Sequence, residues 1–365
     1  RDLLDVKKKF GNARRSEIID DPGEMTVEDL IAEERMVVTI SHMGYIKRTD
    51  TNLYRKQKRG GKGTIGAEIK DEDWVEHLFT GTTHDYIMFF TNKGKAYWLK
   101  VWELPQAGRS SKGRPIVNML EALEKNEKIE AVVAVSQFTD NQFLVFCTKK
   151  GQVQKNALSL YSNPMKKGIK AFNIADDDEL VTVKLADETN ELLIATRQGM
   201  ATRFRVGDVR AAGRFTQGVR GITLGDGDYV IGMEPLRPNS SIFTTAEKGM
   251  GKRSVVEDYR LTSRGGKGVI NMKLTDKTGE IVSINEVLDS DELILMTTQG
   301  QAIRFKVSGV RVIGRNTQGV RLLDLAEGDK IVAVSRVAEE DENADASAPA
   351  EPESEAGEEA PDDKE

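Results

Sequence analysis

One pattern occurs six times in this chain, and that repetition restricts the fold more than any other feature. Each copy has a β-rich run, a polar turn ending in glycine, a second run carrying Lys or Arg, and a basic loop that also ends in glycine. The turn glycines are Gly44, Gly94, Gly151, Gly199, Gly249 and Gly300. The loop glycines are Gly63, Gly113, Gly168, Gly218, Gly268 and Gly319. Successive turn glycines lie 50, 57, 48, 50 and 51 residues apart. A β-rich period near fifty predicts radially stacked blades, because one copy cannot cover both faces of its own sheet. The expected fold is all-β: a six-bladed, propeller-like pinwheel of four-stranded blades.

The fourth copy is the clearest. Glu191–Thr196 reads as a buried strand, Thr196–Gly199 as a hairpin turn, and Met200–Val206 as an alternating strand. Val219–Leu224 and Tyr229–Leu236 are expected to supply two more strands of the same blade. The hairpin glycines are expected to be structural, without a ligand.

Charge is segregated along the chain. The formal net charge is −6, but residues 338–365 hold 13 acidic side chains and one lysine. Residues 1–35 are mildly acidic, which leaves residues 36–337 with 36 acidic and 45 basic side chains. A basic body predicts a polyanionic partner. The acidic tail carries Pro349, Pro352 and Pro361 and no aromatic residue. It cannot bury enough apolar surface to fold, so disorder is expected over 338–365. It could also fold back on the basic body and compete for its polyanion. Residues 1–35 read as a linker into the body. Lys7–Arg15 ends a preceding helical region, Asp21-Pro22-Gly23 forms a turn, and Thr26 with Asp29 caps a short helix through Glu34. The chain begins at Arg1 rather than Met, which predicts a piece of a longer polypeptide.

The loops carry the candidate site. They read Gln57-Lys58-Arg59-Gly60-Gly61-Lys62-Gly63, Arg109-Ser110-Ser111-Lys112-Gly113, Pro164-Met165-Lys166-Lys167-Gly168, Arg214-Phe215-Thr216-Gln217-Gly218, Ser263-Arg264-Gly265-Gly266-Lys267-Gly268 and Arg315-Asn316-Thr317-Gln318-Gly319. Arg114, Lys170, Arg220 and Arg321 follow closely. Each loop sets basic side chains beside glycines that would let backbone approach a phosphate. Radial symmetry places the six loops along one curved edge. With no base-reading helix in view, the expected contact is with duplex DNA phosphates, with any sequence preference coming from ease of bending. The alternative is a propeller scaffold for protein partners.

Catalytic readings find little support. Lys62 is followed by Gly63, not Ser or Thr, which argues against a phosphate-binding P-loop there. His42, His77 and His84 lack metal-ligand spacing, so no metal is expected. Cys147 is the single cysteine and is expected to be a buried thiol. Trp74, Trp98 and Trp102 are expected to pack between strands. No apolar run approaches a membrane span, so no membrane partner is expected.

The loop Gln57–Gly63 closely resembles the Q-R-R-G-G-K-G box of the A subunit of bacterial DNA gyrase, with Lys58 where that family usually has Arg. Charge is kept there, but a bidentate fork is lost. The runs Phe10–Arg15, Asp29–Glu34 and Val37–Arg48 are similar to that family too. The resemblance covers residues 5–337. It implies a pinwheel that wraps DNA so that the parent type II topoisomerase can introduce negative supercoils with ATP. It also implies that the catalytic tyrosine lies in the region of the gyrase A subunit missing here, at the end of which residues 1–35 begin. By the same resemblance, ATP and Mg belong to the holoenzyme and no cofactor to this chain. The implied partners are double-stranded DNA, the remainder of the gyrase A subunit, and the gyrase B subunit in an A2B2 assembly. The isolated domain would be a monomer in the bacterial cytoplasm, at the nucleoid.

Overall fold

The computed structural model describes residues 2–11, 28–41, 43–50, 75–108, 111–120, 122–124, 127–299 and 302–337. The box Gln57–Gly63, Arg109, His42, Trp74, Gly300 and the acidic tail lie outside the described residues. A helix, Asp2–Phe10, is exposed along its length. Of the helix expected through Glu34, only a 3-10 turn at Glu28–Leu30 forms among the described residues.

Six antiparallel sheets follow in chain order among the described residues. In blade four, Glu191–Thr196 and Met200–Arg205 form the hairpin. Val230–Leu236 pairs on the other side of Glu191–Thr196. The fourth strand is Val269–Ile270, which pairs with Met200 and Ala201 and comes from copy five. Copy four does supply four strands, but the expectation that Val219–Leu224 joins the same blade is corrected: Val219–Arg220 pairs with blade three, and blade four is completed from copy five. Arg114–Pro115, Ile169–Lys170, Val219–Arg220 and Val320–Arg321 each pair with the second strand of the preceding copy in the same way. The sixth blade is a sheet of three among the described residues.

The third strands line the centre. Val75–Thr82, Ile129–Val135, Leu180–Asp187, Val230–Leu236, Ile281–Val287 and Ile331–Val337 contact one another in succession. The last also contacts the first, so the inner ring closes. The donated two-residue strands are therefore the outermost of the first five sheets. Every third strand shifts register near the end of the first strand, at Ile40/Ser41, Phe90/Thr91, Leu180/Thr182, Ala195/Thr196, Thr245/Ala246 and Met296/Thr297. A bulge in the same place in each blade raises the local twist, as radial stacking requires.

The core lies between blades. Leu192 and Ile194 pack with Val145, Cys147 and Val153 of blade three. Leu193 and Ala195 pack with Ile242 and Tyr259 on the blade-five side. Both faces of the first strand are thus buried, which is why Leu192–Ala195 is continuously apolar. Trp98 lies in the core between blades two and three. Cys147 is fully buried between blades three and four, and burial pushes its thiol up.

Candidate nucleic-acid interface

Among the described residues, the basic loops of copies two to six lead into strands on the outer edge of the preceding blade. The second strand runs into a 3-10 turn whose first residue is buried: Val101, Leu158, Val206, Val256 and Val307. Burial of that side chain pins the chain where it leaves its own blade. It then crosses to its neighbour, where Gln106, Ala211, Leu261 and Val312 make parallel bridges to Arg48, Lys155, Arg203 and Arg253. The basic loop follows, then the donated strand. Three residues after the loop glycine, the amides of Ile116, Ala171, Gly221, Asn271 and Leu322 donate to the carbonyls of Gly44, Gly94, Gly151, Gly199 and Gly249 at 2.7–2.9 Å. The turn glycine of one blade is thereby tied to the loop of the next.

This contact changes the role of the loop glycines. Gly268 and Gly319 have φ of +76° and +82°, and a Cβ on either would collide with the carbonyl oxygen of Ala201 or Gly251 on the neighbouring second strand. A Cβ on Gly168 would lie 2.6 Å from the Tyr97 ring, and one on Gly218 would lie 2.8 Å from the Val153 oxygen. Close approach of one blade to another explains these glycines, and the expected backbone approach to a phosphate is not needed for it.

Buried polar side chains hold the loops from beneath, and the residue pattern alone did not nominate them. Lys47 donates to the carbonyls of Gly108 and Ser111 at 3.1 and 2.7 Å. Gln154 donates to Gly213 at 3.0 Å. Lys252, with no exposed surface, donates to Arg315 O at 2.6 Å, Gly314 O at 3.4 Å and Ser254 Oγ at 2.9 Å. All three residues lie three positions after a turn glycine, a periodicity that could have revealed them. One position further, Arg203 donates to Val256 O and Tyr259 O at 3.0 Å and pairs with Glu191. Lys155 likewise reaches Val206 O at 3.2 Å and Glu188 at 2.7 Å. Burial pulls the Lys252 ammonium down to about 7; nearby Arg315 acts in the same direction and Asp258 opposes it.

The nominated cations separate into two groups. Lys112, Arg114, Lys166, Lys167, Lys170, Arg220, Lys267 and Arg321 are exposed. Arg114, Lys170, Arg220 and Arg321 lie on the donated outermost strands, and Ile270 takes that place in the fifth copy. Lys170 donates to Asn173 at 2.6 Å, and Arg321 pairs with Asp324 at 2.6 Å. Arg214, Arg264 and Arg315 are half-buried. Arg264 donates to Asp208 O at 3.0 Å and Arg220 O at 3.3 Å. Arg315 donates to Asp258 O at 2.9 Å and Ile270 O at 2.7 Å. These two guanidiniums are therefore partly engaged in joining blades, where the sequence suggested free phosphate ligands. Arg214 places its guanidinium 5.7 Å from the Phe215 ring and 6.0 Å from the Tyr161 ring.

Other candidates are structural. His84 Nε2 lies 3.1 Å from Ile31 O. Among the described residues, no group of His, Cys, Asp and Glu could hold a metal ion, and no helix is long and apolar enough to cross a membrane.

The chain matches the family model described as DNA gyrase C-terminal domain, beta-propeller, in six segments: 35–80, 85–136, 142–187, 190–237, 240–287 and 291–338. It is 48% identical over 344 residues to the DNA gyrase A subunit of Halalkalibacterium halodurans, covering 94% of this chain and 41% of that protein. It is 44% identical over 340 residues to the DNA gyrase A subunit of Clostridium acetobutylicum, covering 93% of this chain and 41% of that protein. The chain thus spans about two-fifths of the length of these relatives. The solved C-terminal domain of DNA topoisomerase IV matches with a TM-score of 0.73 and 28% identity, over 84% of this chain and 94% of that one. A solved DNA gyrase A C-terminal domain matches with a TM-score of 0.65 and 26% identity, over 84% and 100%. Strand-sharing blades and these likenesses define a propeller module of the DNA topoisomerases. Within that class, the chain belongs to the DNA gyrase C-terminal domain family.

Proposed function

We propose that this chain binds duplex DNA along its outermost strands and wraps it. The observation that carries the reading is the recurrence of exposed cations at one structural place, the donated strand and its loop, in successive blades. Blades stacked around a closed inner ring put that place on a curve. DNA following the curve would be held by phosphate contacts with little base readout. Bending 20–30 base pairs through a large angle costs roughly 1–6 kcal/mol, which a row of phosphate contacts can offset at low salt.

The box Gln57–Gly63 and Arg109 would extend the row through the remaining loops. In the parent enzyme, a type II topoisomerase, the wrap would feed a segment of the same DNA to the cleavage gate of the A subunit. The B subunit would supply ATP hydrolysis with Mg, and the product would be negatively supercoiled DNA. This chain would bind and bend without catalysis of its own. The test is ligation of a nicked circle in the presence of the chain, followed by removal of protein and measurement of linking number. Wrapping shifts the topoisomer distribution in proportion to bound protein. An unshifted distribution at saturating protein contradicts the proposal.

A further inference from the structure

The loop of copy four differs from its counterparts in one side chain. At the offset of Phe215 the other copies carry Gly60, Ser110, Met165, Gly265 and Asn316. Phe215 is 69% exposed, and Met165 in the adjacent loop is 59% exposed. A loop that served only to hold phosphates or remain solvated would do so with the small or polar residues found in the other four.

Phe215 is also rigidly mounted. The Thr216 amide and hydroxyl both donate to Gly213 O, at 3.2 and 2.7 Å, closing a turn with Arg214 and Phe215 at its tip. The same carbonyl accepts from the blade-three side chain of Gln154 at 3.0 Å. Just before it, Asn156 Nδ2 donates to Ala212 O at 2.7 Å, and the Ala212 amide donates to Lys155 O at 2.9 Å. Arg264 and Arg315 in the later loops turn onto backbone carbonyls, whereas Arg214 lies against the Phe215 ring and the buried Tyr161. Exposed Lys166, Lys167, Lys170 and Arg220 lie on this loop's own strand and on the adjacent loop.

An apolar ring on a braced tip, set among cations, has the form of the wedges with which proteins enter a minor groove, separate stacked base pairs and kink the duplex. Resting on the reading that the chain wraps DNA, we propose that Phe215 is such a wedge, with Met165 as a weaker neighbour. The wrap is then not a uniform arc but carries a kink at the fourth-copy loop. A wedge favours steps that unstack easily, such as TA and CA/TG, so it also gives the wrap a preferred position on the sequence.

The test uses the full chain and two duplexes, one fully matched and one with a central mismatch beside a 2-aminopurine. Wild-type protein should favour the mismatched duplex by at least about fivefold, because an opened step is already partly unstacked. The 2-aminopurine fluorescence should rise on binding. Phe215→Ser should weaken both complexes, bring their affinity ratio to one and abolish the rise, while Phe215→Leu should restore some of each. Two results would overturn the wedge: a wild-type ratio of one with steeply salt-dependent binding of the matched duplex, or the same ratio in Phe215→Ser as in wild type. The second would leave Phe215 to a protein contact. Wild type binding neither duplex would instead sink the wrapping proposal beneath it.

Discussion

The loop of copy three offers the cleanest perturbation of the proposed interface. Lys166, Lys167 and Lys170 are exposed, and among the described residues only Lys170 has a partner, Asn173. Changing all three to Gln therefore removes charge with little effect on folding, within about 0.5 kcal/mol each. If the eight exposed cations each neutralise one phosphate, log K falls against log salt with a slope of about −7, and the triple variant should show about −4.5. At 0.1 M salt, relative to 1 M, each contact contributes about 0.9 decade, or about 1.2 kcal/mol. Three lost contacts then weaken binding by about 3.7 kcal/mol, near 500-fold. Fluorescence anisotropy of a labelled duplex, titrated at several salt concentrations, reads both quantities. A slope that moves by less than about 0.5, with affinity within about threefold, would refute phosphate contact at this loop.

Three further outcomes follow from the way blades are joined. Gly268→Ala should lower the unfolding free energy in urea by at least about 1–2 kcal/mol, the penalty for a left-handed non-glycine residue, before its collision with Ala201 is counted. Arg203→Met should destabilise by about 3 kcal/mol, since it leaves Glu191 and Tyr259 O without the guanidinium donor and Val256 O with the Tyr259 amide alone, and a loss under about 1 kcal/mol would show that the cross-blade tie is weak. The third concerns Lys252, whose folded value of about 7 lies below its ordinary 10.5, so between those values the unfolded chain binds the proton that the folded chain has released. The penalty of the buried charge is present below about pH 7 and is relieved as pH rises toward 10.5, so wild type should gain on Lys252→Met by up to about 1.4 kcal/mol per pH unit. Urea melts of both proteins at pH 7 and pH 9 check this, and parallel curves would contradict it.

Much of the architecture was legible in the sequence because the chain repeats. The spacing of Gly44, Gly94, Gly151, Gly199 and Gly249 located the hairpins, and each of these residues sits in a left-handed turn. Leu192–Ala195 was readable as a central strand because both its faces are buried and no polar residue interrupts it. The candidate cations could be nominated from the repeated offset of the loops. Other features were invisible for a physical reason. Val219–Arg220 reads as a strand of its own copy, yet it pairs with Gln152 and Val153 in the blade before. A two-residue strand has no periodicity to mark its partner, and only the path of the chain between blades selects it.

The order of elements, the number of blades and the segregation of charge were thus written in the local pattern, since turns, alternation and composition act over a few residues. Which blade receives each outer strand and where the ring closes depend on contacts between residues far apart in the chain. The same contacts decide that Arg264 and Arg315 bind carbonyls while Lys166 and Lys167 face solvent. Burial and hydrogen-bond geometry assign those roles, and residue type alone cannot distinguish one exposed cation from another that is braced against its neighbour.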